Sequence, residues 1–556
     1  MLESADSFPE LYKSFSWDIP THYNIGVDVC DRWAEKDPER IAIIDIDPTG
    51  NRADYSFQQL KVLSNRLANA LHKRGVGIHD DTADRVGVLL PQCVETAVSH
   101  IALFKLGVIS IPLFTLFAQD ALLHRLSDSD AKVVITNAEG LKKLQSIREQ
   151  LPSLKLILCI DDVNESTEGV EYFYRICDQE SDVFSPLLTR SDDPALLIYT
   201  SGTTGNPKGA LHAHRVLLGH LPGVEISHNF LPLPDDRFWT PADWAWIGGL
   251  LDVLMPSLHH GIAVVAYRFP KFDAESAVIL MRKLSVRNAF LPPTVLKMMM
   301  SLPESTFKGL ALRSIGSGGE TLGAELLEWG RRVFKLTINE FYGQTECNMI
   351  VSSCSALEPA TAGYMGRPVP GHNVKIINPE TGLVLEHGNE GAIAVESPNP
   401  VMFLRYWNNP EATAEKYVSS GKIRWLLTGD RGAMDESGKI HFVGRDDDVI
   451  SSAGYRIGPS EIENCLVSHE AVQLAGVVGK PDSLRGSIVM AFVTLNEGFN
   501  ASEQLSSELG EWVKLRLAAH EYPREIRFID NMPMTTTGKI IRATLRQWAQ
   551  TDHQEN

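Results

Sequence analysis

The chain has 556 residues, a formal net charge of −18 and an apolar fraction of 44%. This length exceeds what one compact core supports, so two or more domains are expected. The acidic balance argues against a nucleic-acid-binding surface, which needs clustered Lys and Arg, but leaves small anionic ligands open.

Cysteine usage and the apolar runs indicate the compartment. The 7 cysteines are scattered, with no C-x-x-C pair and no Cys/His cluster at zinc-binding spacing. A reducing, cytoplasmic compartment is therefore expected. Residues 1–16 are mixed and acidic, unlike a secretory signal. The longest apolar runs, such as 248–258, are too short for a membrane span.

The first half of the chain alternates helix-like and strand-like segments. In chain order these segments are 57–73, 85–90, 93–106, 108–112, 119–126 and 131–136. The alternation predicts parallel sheets covered by helices. A second series of strands is expected around Val264, Ala289 and 312–317.

The pattern changes after about Gly366. Short strand-like runs at 374–377, 390–396 and 440–443 are separated by Gly, Asn and Asp turns. They predict an antiparallel, barrel-like subdomain. The polar run 444–449 is the expected linker to a final α+β segment, so the fold class is α/β with two βα sheets, a small β-barrel and a smaller α+β domain.

The strongest local motif is Tyr199-Thr-Ser-Gly-Thr-Thr-Gly-Asn-Pro-Lys-Gly209, here named the phosphate loop, which follows an apolar strand. Its hydroxyl groups and glycine N–H groups can surround phosphate oxygens, and Lys208 adds a positive charge. The Walker spacing G-x-x-x-x-G-K-[ST] is absent. On composition alone, a surface turn remains the alternative.

Three weaker motifs follow. Phe341-Tyr-Gly-Gln-Thr-Glu346 offers a carboxylate for Mg²⁺ and an aromatic ring for a base. Thr428-Gly-Asp430, with Arg445, offers a pair that can hold ribose hydroxyls. Pro533-Met-Thr-Thr-Thr-Gly-Lys-Ile-Ile-Arg542 carries a single lysine. Taken alone, each of these charged residues is more commonly an ordinary surface charge or a surface salt bridge.

In order and spacing, the four motifs closely resemble the adenylate-forming superfamily: acyl-CoA synthetases, peptide-synthetase adenylation domains and luciferases. The resemblance extends from about Asp28 to Arg546. It implies a large N-terminal domain, 1–446, and a smaller mobile C-terminal domain, 447–556, which turns about a hinge at Asp447.

The resemblance also assigns roles to individual residues. Those that match the phosphate-gripping loop are Thr200, Ser201, Gly202, Thr203, Thr204, Gly205 and Lys208. Those that match contacts to adenine, ribose or the α-phosphate are Gly319, Glu320, Thr321, Tyr342, Gln344, Thr345, Asp430, Arg445 and Arg456. Glu346 matches the Mg²⁺ ligand, and Lys539 matches the lysine that bridges the carboxylate and the α-phosphate.

The implied reaction has two steps. The substrate carboxylate attacks the α-phosphorus of ATP and pyrophosphate leaves, after which the thiol of CoA displaces AMP. Mg²⁺ on Glu346 and the ammonium of Lys539 would neutralise charge in the first step, alongside Thr345. Acylation of Lys539 would remove its charge, so a lysine acyltransferase and deacylase are expected partners.

The resemblance places the second step in a tunnel for CoA. Ser452, Ala453 and Gly454 match its lining, and Lys514 matches a cation near a CoA phosphate. Arg456 would serve the first step, before the C-terminal domain rotates.

The acyl pocket is expected around Trp246 and Ile247, in a segment that resembles the pocket of short-chain acyl-CoA synthetases. Acetate-specific relatives carry a tryptophan where this chain has Gly343, and larger residues at Gly248 and Gly318. Three glycines predict an acid larger than acetate, namely medium-chain, branched or aryl, and a role in fatty acid metabolism. The alternative is that neighbouring groups fill the space.

Two other activities remain open from the sequence. One is an acetyl- or propionyl-CoA synthetase. The other is a stand-alone adenylation domain that loads a carrier protein. For an amino acid substrate, Asp243 is the only obvious acidic partner in the pocket segment.

Overall fold

The computed structural model describes most of the chain. Outside the described residues lie Pro48, 163–167, 201–206, 446–447, Val449, 453–454, 483–485, 518–521, 536–537 and 552–556. No helix in the described part of the chain is both long enough and apolar enough to cross a membrane.

The first sheet has eight strands in the described residues, and the six from Pro194–Thr200 to Val170–Tyr172 run parallel. In spatial order they are Arg405–Tyr406, Lys208–Ala213, Pro194–Thr200, Ile109–Pro112, Arg85–Leu89, Val133–Thr136, Leu156–Cys159 and Val170–Tyr172. Several of these strands are buried along their whole length, as expected for parallel strands covered on both faces. The predicted βα alternation is confirmed.

The helices predicted at 57–73, 93–106 and 119–126 are present as Phe57–Lys73, Val94–Lys105 and Gln119–Asp128. The helices Ala138–Ile147 and Phe173–Asp178 were not predicted. Phe57–Lys73 begins with a capping box, in which the Ser56 hydroxyl accepts from the Gln59 amide and the Gln59 side chain accepts from the Ser56 amide.

The second sheet has fourteen strands. In spatial order they are Val374–Ile377, Glu390–Ser397, Ile423–Met434, Ile440–Arg445, Tyr364–Pro368, Asn348–Ser352, Asn339–Gln344, Ser314–Gly318, Asn288–Phe290, Arg237–Trp239, Ala263–Ala266, Ile41–Ile46 and Arg52–Ser56, with Tyr417–Ser420 beside Ile423–Met434. The antiparallel strands after Gly366 are as predicted. However, they continue the second sheet through Tyr364–Pro368, and in the described residues they do not close into a barrel of their own.

The remaining elements of the large domain are short. Its other α-helices are Phe8–Ser14, Arg32–Lys36, Val216–Ser227, Met255–His260, Ala274–Lys283, Pro293–Met300, Ala324–Val333 and Pro410–Glu415. Val27–Asp31 and Gly248–Leu254 are π-helical, Arg148–Gln150 and Glu304–Phe307 are 3₁₀-helical, and Ile78–His79 pairs with Thr82–Ala83.

The C-terminal segment is α+β, as predicted. Its strands Val472–Asp482, Gly486–Leu495 and Glu525–Phe528 form one sheet, and Ile450–Ser452 pairs with Tyr455–Ile457. Its helices are Pro459–Val467, Glu503–Arg516 and Arg542–Thr551. Buried residues such as Ile462, Val477 and Leu509 give it a core of its own.

Candidate active site

The strand Asn339–Gln344 carries two predicted ATP-site residues that contact the strand Ile423–Met434, which lies further along the same sheet. The Tyr342 hydroxyl donates to Oδ2 of Asp430 at 2.6 Å. The Gln344 side-chain amide donates to the carbonyl of Thr428 at 2.8 Å. The residues predicted to contact adenine and ribose are therefore adjacent.

Asp430 and Arg445 form the pair that the sequence predicts. They face each other in register on antiparallel strands, with 3.6 Å between Arg445 Nε and Asp430 Oδ1. Burial raises the pKa of Asp430, while Arg445 and the Tyr342 hydrogen bond act in the opposite direction. Their contact with ribose stays a prediction.

Glu346 is buried beside a residue that the sequence analysis missed. The hydroxyl of Tyr406 donates to the Glu346 carboxylate. The Nζ of Lys208 lies 5.4 Å from the centre of the Tyr406 ring. Tyr406 thus connects the predicted Mg²⁺ ligand with the phosphate loop, a link between segments distant in sequence that no local motif signals.

The donor set at Glu346 fits Mg²⁺. This ion is commonly held by one or two carboxylates together with substrate phosphates, so a single buried carboxylate near a phosphate-gripping loop suffices. In the described residues there is no cluster of three His, Cys, Asp or Glu side chains that would form a protein-only metal site.

The phosphate loop itself is only partly described. Ser201, Gly202, Thr203, Thr204 and Gly205 lie outside the described residues. Thr200 and Lys208 flank them and pair in register on two antiparallel strands. The loop's phosphate contacts stay a prediction.

Lys539, from the C-terminal segment, reaches the large domain. Its Cε lies 3.9 Å from the position that a Cβ on Gly319 would take, and its Nζ lies 5.9 Å from the centre of the Trp246 ring. Glu320 is close by, and its carboxylate accepts a hydrogen bond of 3.0 Å from the Thr294 hydroxyl. Thr321 and Thr345 are half-buried in the neighbouring turns.

The charge environment of Lys539 is mixed. Desolvation by surrounding protein atoms lowers the pKa of its ammonium group. Glu320 and Asp430 favour the charged form, whereas Arg445 disfavours it. The structure thus brings together a lysine, the Gly319–Glu320 loop and the Asp430–Arg445 pair from separate parts of the chain.

A side chain could not be added at any of the three glycines of the predicted acyl pocket without displacing neighbouring atoms. A Cβ on Gly343 would lie 1.6 Å from the carbonyl oxygen of Asn348. A Cβ on Gly318 would lie 2.4 Å from the Phe341 ring, and one on Gly248 would lie 2.9 Å from the Trp246 ring. Neighbouring groups therefore occupy the space where a Cβ would stand at each glycine, and an acid larger than acetate stays a prediction.

Those neighbours form an aromatic wall, defined here as Trp246, Phe290 and Phe341. The Trp246 and Phe290 ring centres are 5.8 Å apart, and those of Phe290 and Phe341 are 5.2 Å apart. Ile247 is half-buried beside it in the chain. Sequence analysis missed both phenylalanines because each lies in a strand that reads as ordinary core.

Asp243 is already engaged within the protein. Its Oδ1 accepts from the Ala245 amide at 2.9 Å, and its Oδ2 lies 3.8 Å from Arg268. It is therefore a poor partner for the ammonium of an amino acid.

The CoA and hinge predictions are only partly covered by the described residues. Ser452 is buried in its short hairpin, while Ala453, Gly454, Asp447 and the side chain of Arg456 lie outside the described part. Lys514 is exposed and pairs with Glu511 at 2.7 Å. Their assigned roles stay predictions.

Comparisons with known proteins agree with this geometry. Residues 30–407 match the family described as AMP-binding enzyme, and residues 461–539 match the AMP-binding enzyme C-terminal domain. The chain is 34% identical to the acetyl-coenzyme A synthetase of Bacillus subtilis (strain 168), over 98% of this chain and 95% of that protein. It is 32% identical to the mitochondrial acyl-coenzyme A synthetase ACSM3 of Mus musculus, over 99% and 95%.

A solved structure shows the same architecture. The anthranilate CoA ligase AuaEII, in complex with anthranoyl-AMP, superposes with a TM-score of 0.86 at 28% identity, covering 97% of this chain and 99% of that one. With two matched domains, a predicted ATP site assembled from distant segments, and relatives aligned over nearly their whole length, the chain belongs to the adenylate-forming acyl-CoA synthetase family.

Proposed function

We propose that this chain joins an apolar carboxylic acid to CoA, with ATP converted to AMP and pyrophosphate. The observation that carries the proposal is the position of Lys539. Its side chain lies between Trp246 of the aromatic wall and the Gly319–Glu320 loop, where an acyl carboxylate and an α-phosphate would meet. Use of ATP and CoA fits the family.

In the first step the carboxylate attacks the α-phosphorus in line, so two anions must approach each other. The Lys539 ammonium would contact both, and Thr345 would donate to the α-phosphate. Tyr342, Asp430 and Arg445 would hold adenine and ribose so that the phosphorus is correctly placed. Mg²⁺ held by Glu346 would supply further neutralisation of the phosphate charge.

The second step needs Lys539 to leave, because the CoA thiol must reach the carbonyl carbon of the acyl-adenylate. We propose that the C-terminal domain, 447–556, turns on the 1–446 domain about Asp447 and brings Ser452, Ala453 and Gly454 to the site. Lys514 would meet a CoA phosphate. The short polar run 444–449 between the two matched domains supports this assignment.

The chemistry of the acid is inferred from the aromatic wall, of which Trp246 lies near Lys539. Three aromatic rings favour an apolar acyl group, and the engaged Asp243 disfavours an amino acid. An acid larger than acetate remains our proposal on one ground: Gly343 places no ring in the pocket where acetate-specific relatives carry tryptophan.

Two regulatory and cellular aspects belong to the same proposal. Acylation of Lys539 would remove the charge that the first step needs, so a lysine acyltransferase and deacylase are proposed partners. The seven cysteines are all free thiols, which supports a reducing compartment, for which we propose the cytoplasm.

The proposal is tested by thioester formation over a series of acids. The series runs through acetate, propionate, butyrate, hexanoate, isobutyrate and benzoate, with glycine and malonate as charged controls. We expect kcat/KM to rise by about four-fold for each methylene admitted, from about 0.8 kcal/mol per CH₂. Glycine and malonate should be poor substrates. A maximum at acetate would contradict the proposed acid, and no CoA-dependent product with any acid would contradict the proposed activity.

A further inference from the structure

Lys416, which no motif of the sequence singles out, lies at the junction of two strands of the ATP site. It follows the helix Pro410–Glu415 and is half-buried. Its Nζ donates to Gln344 Oε1 at 3.1 Å and to the carbonyls of Leu427 and Thr428 at 3.2 Å each. An ammonium group has three donors, and here all three have acceptors.

These contacts form a closed set with Gln344. The Thr428 carbonyl accepts from the Lys416 ammonium and also from the Gln344 amide, at 2.8 Å. One lysine therefore fixes both ends of the Gln344 amide. Its ammonium donates to the amide oxygen, and it also donates to the Thr428 carbonyl that accepts from the amide nitrogen. This determines the orientation of the amide.

The backbone of Lys416 is anchored to the same strand. The Leu427 amide donates to the Lys416 carbonyl at 2.7 Å. The lysine side chain therefore spans a short distance between two attachments on one strand, and its ammonium has little freedom to move. Such a group can hold a neighbouring turn rigidly.

The two segments that Lys416 joins both carry predicted ATP contacts. Gln344 immediately precedes Thr345 and Glu346. Thr428 is two residues before Asp430, and the Thr428 hydroxyl accepts from the Asp430 amide at 3.1 Å. A shift of either segment would misplace the α-phosphate contact relative to the ribose contact.

We propose that Lys416 is a positioning residue for ATP, which locks the Gln344–Glu346 turn to the strand that carries Asp430 before the nucleotide binds. This rests on the proposed function for the roles of Thr345, Glu346 and Asp430. Preorganised contacts bind more tightly because less order has to be created on binding. Lys416 acts through Gln344 and Thr428 and does not itself need to touch ATP.

The test is calorimetric titration of the full chain with ATP and Mg²⁺, without acid or CoA. In Lys416→Met the stem is kept but every donor is lost, and the Kd for ATP should rise about ten-fold or more. The KM for the acid should change by less than about two-fold, because the aromatic wall is untouched. Lys439→Met is the matched control, since Lys439 is also half-buried but bonds Thr361 at 3.1 Å, away from Gln344.

A double-mutant cycle with Gln344→Met separates positioning from a general loss of structure. If Lys416 acts through Gln344, adding Lys416→Met to Gln344→Met should weaken ATP binding by less than about three-fold. A wild-type Kd in Lys416→Met, or a full further loss in the double variant, would overturn the inference. If Lys416→Met does not fold, Lys416→Gln replaces it, with the same expected direction.

Failure of the Lys416 inference can be distinguished from failure of the proposed function. If the unmodified chain binds no ATP, the proposed function fails. If it binds ATP and Lys416→Met binds it equally well, only the role of Lys416 is lost.

Discussion

The ammonium of Lys539 has to be charged at a place that disfavours charge. Desolvation lowers its pKa, and Arg445 adds to this, while Glu320 and Asp430 oppose it. The same desolvation strengthens its attraction for the approaching anions once they bind. Although Lys539 keeps contact with solvent, these surroundings make its ammonium more easily deprotonated than that of an ordinary surface lysine.

This environment predicts the pH dependence of the first step. Adenylation needs the charged form, so its rate should fall as pH rises through the lowered pKa of Lys539. The loss should begin at a lower pH than for an ordinary lysine, whose pKa is about 10.4. The measurement is single-turnover pyrophosphate release against pH with substrates that do not titrate in this range. An alkaline limb at the ordinary lysine value would contradict the lowered pKa.

Gly343 is required by its neighbours, whichever acid the pocket accepts. Because an added Cβ would lie 1.6 Å from the Asn348 carbonyl oxygen, Gly343→Ala must displace backbone. We expect it to lower the free energy of unfolding by about 2 kcal/mol or more. Chemical denaturation measures this.

Gly510→Ala is the matched control, since the nearest atom to its added Cβ outside the local helix backbone would be the carbonyl oxygen of Pro523 at 3.8 Å. It should leave stability unchanged or raise it by up to about 1 kcal/mol. Equal free energies of unfolding for the two variants would show that a Cβ can be accommodated at position 343, contrary to the structure.

At the scale of elements, periodicity alone predicts much of the fold. The helix Phe57–Lys73 and the strand Val374–Ile377 have the predicted bounds, because alternation of apolar and polar residues reports directly on which face is buried. The arrangement of the strands after Gly366, predicted as a separate barrel, could not be derived from the sequence in the same way. Whether short antiparallel strands close on themselves or join a larger sheet depends on pairing between Tyr364–Pro368 and Ile440–Arg445, which no local pattern encodes.

The residues of the candidate site also fall into two groups, those that a local motif signals and those that only the fold reveals. Lys539, Glu346 and the Asp430–Arg445 pair were singled out because their motifs resemble a known family. Tyr406, Lys416 and the two phenylalanines of the aromatic wall were missed because their roles arise from contacts across the chain. The same limit applies to the glycines: the sequence shows where a side chain is absent, but only the fold shows which atoms surround that position.

At the scale of the whole molecule, the predicted catalytic lysine and the predicted nucleotide site belong to different domains. Residues 461–539 match the C-terminal domain of the family, and Lys539 at the end of that range lies against Gly319 and Trp246 of the large domain. This placement suits the joining of acid and ATP. Transfer to CoA would need a second arrangement of the two domains. Lys539 should therefore matter for adenylation and not for thioester formation.

The central claim is tested most directly by measuring both half-reactions in Lys539→Ala. Pyrophosphate release from ATP and acid should fall by roughly two to three orders of magnitude, as for other lost transition-state charge contacts. Thioester formation from supplied acyl-adenylate and CoA should stay within about three-fold of the unmodified protein. Lys480→Ala, which removes a lysine paired with Glu525 at 2.7 Å in the same domain, should leave both steps intact. An equal loss of both half-reactions in Lys539→Ala, or no loss of the first, would contradict the account.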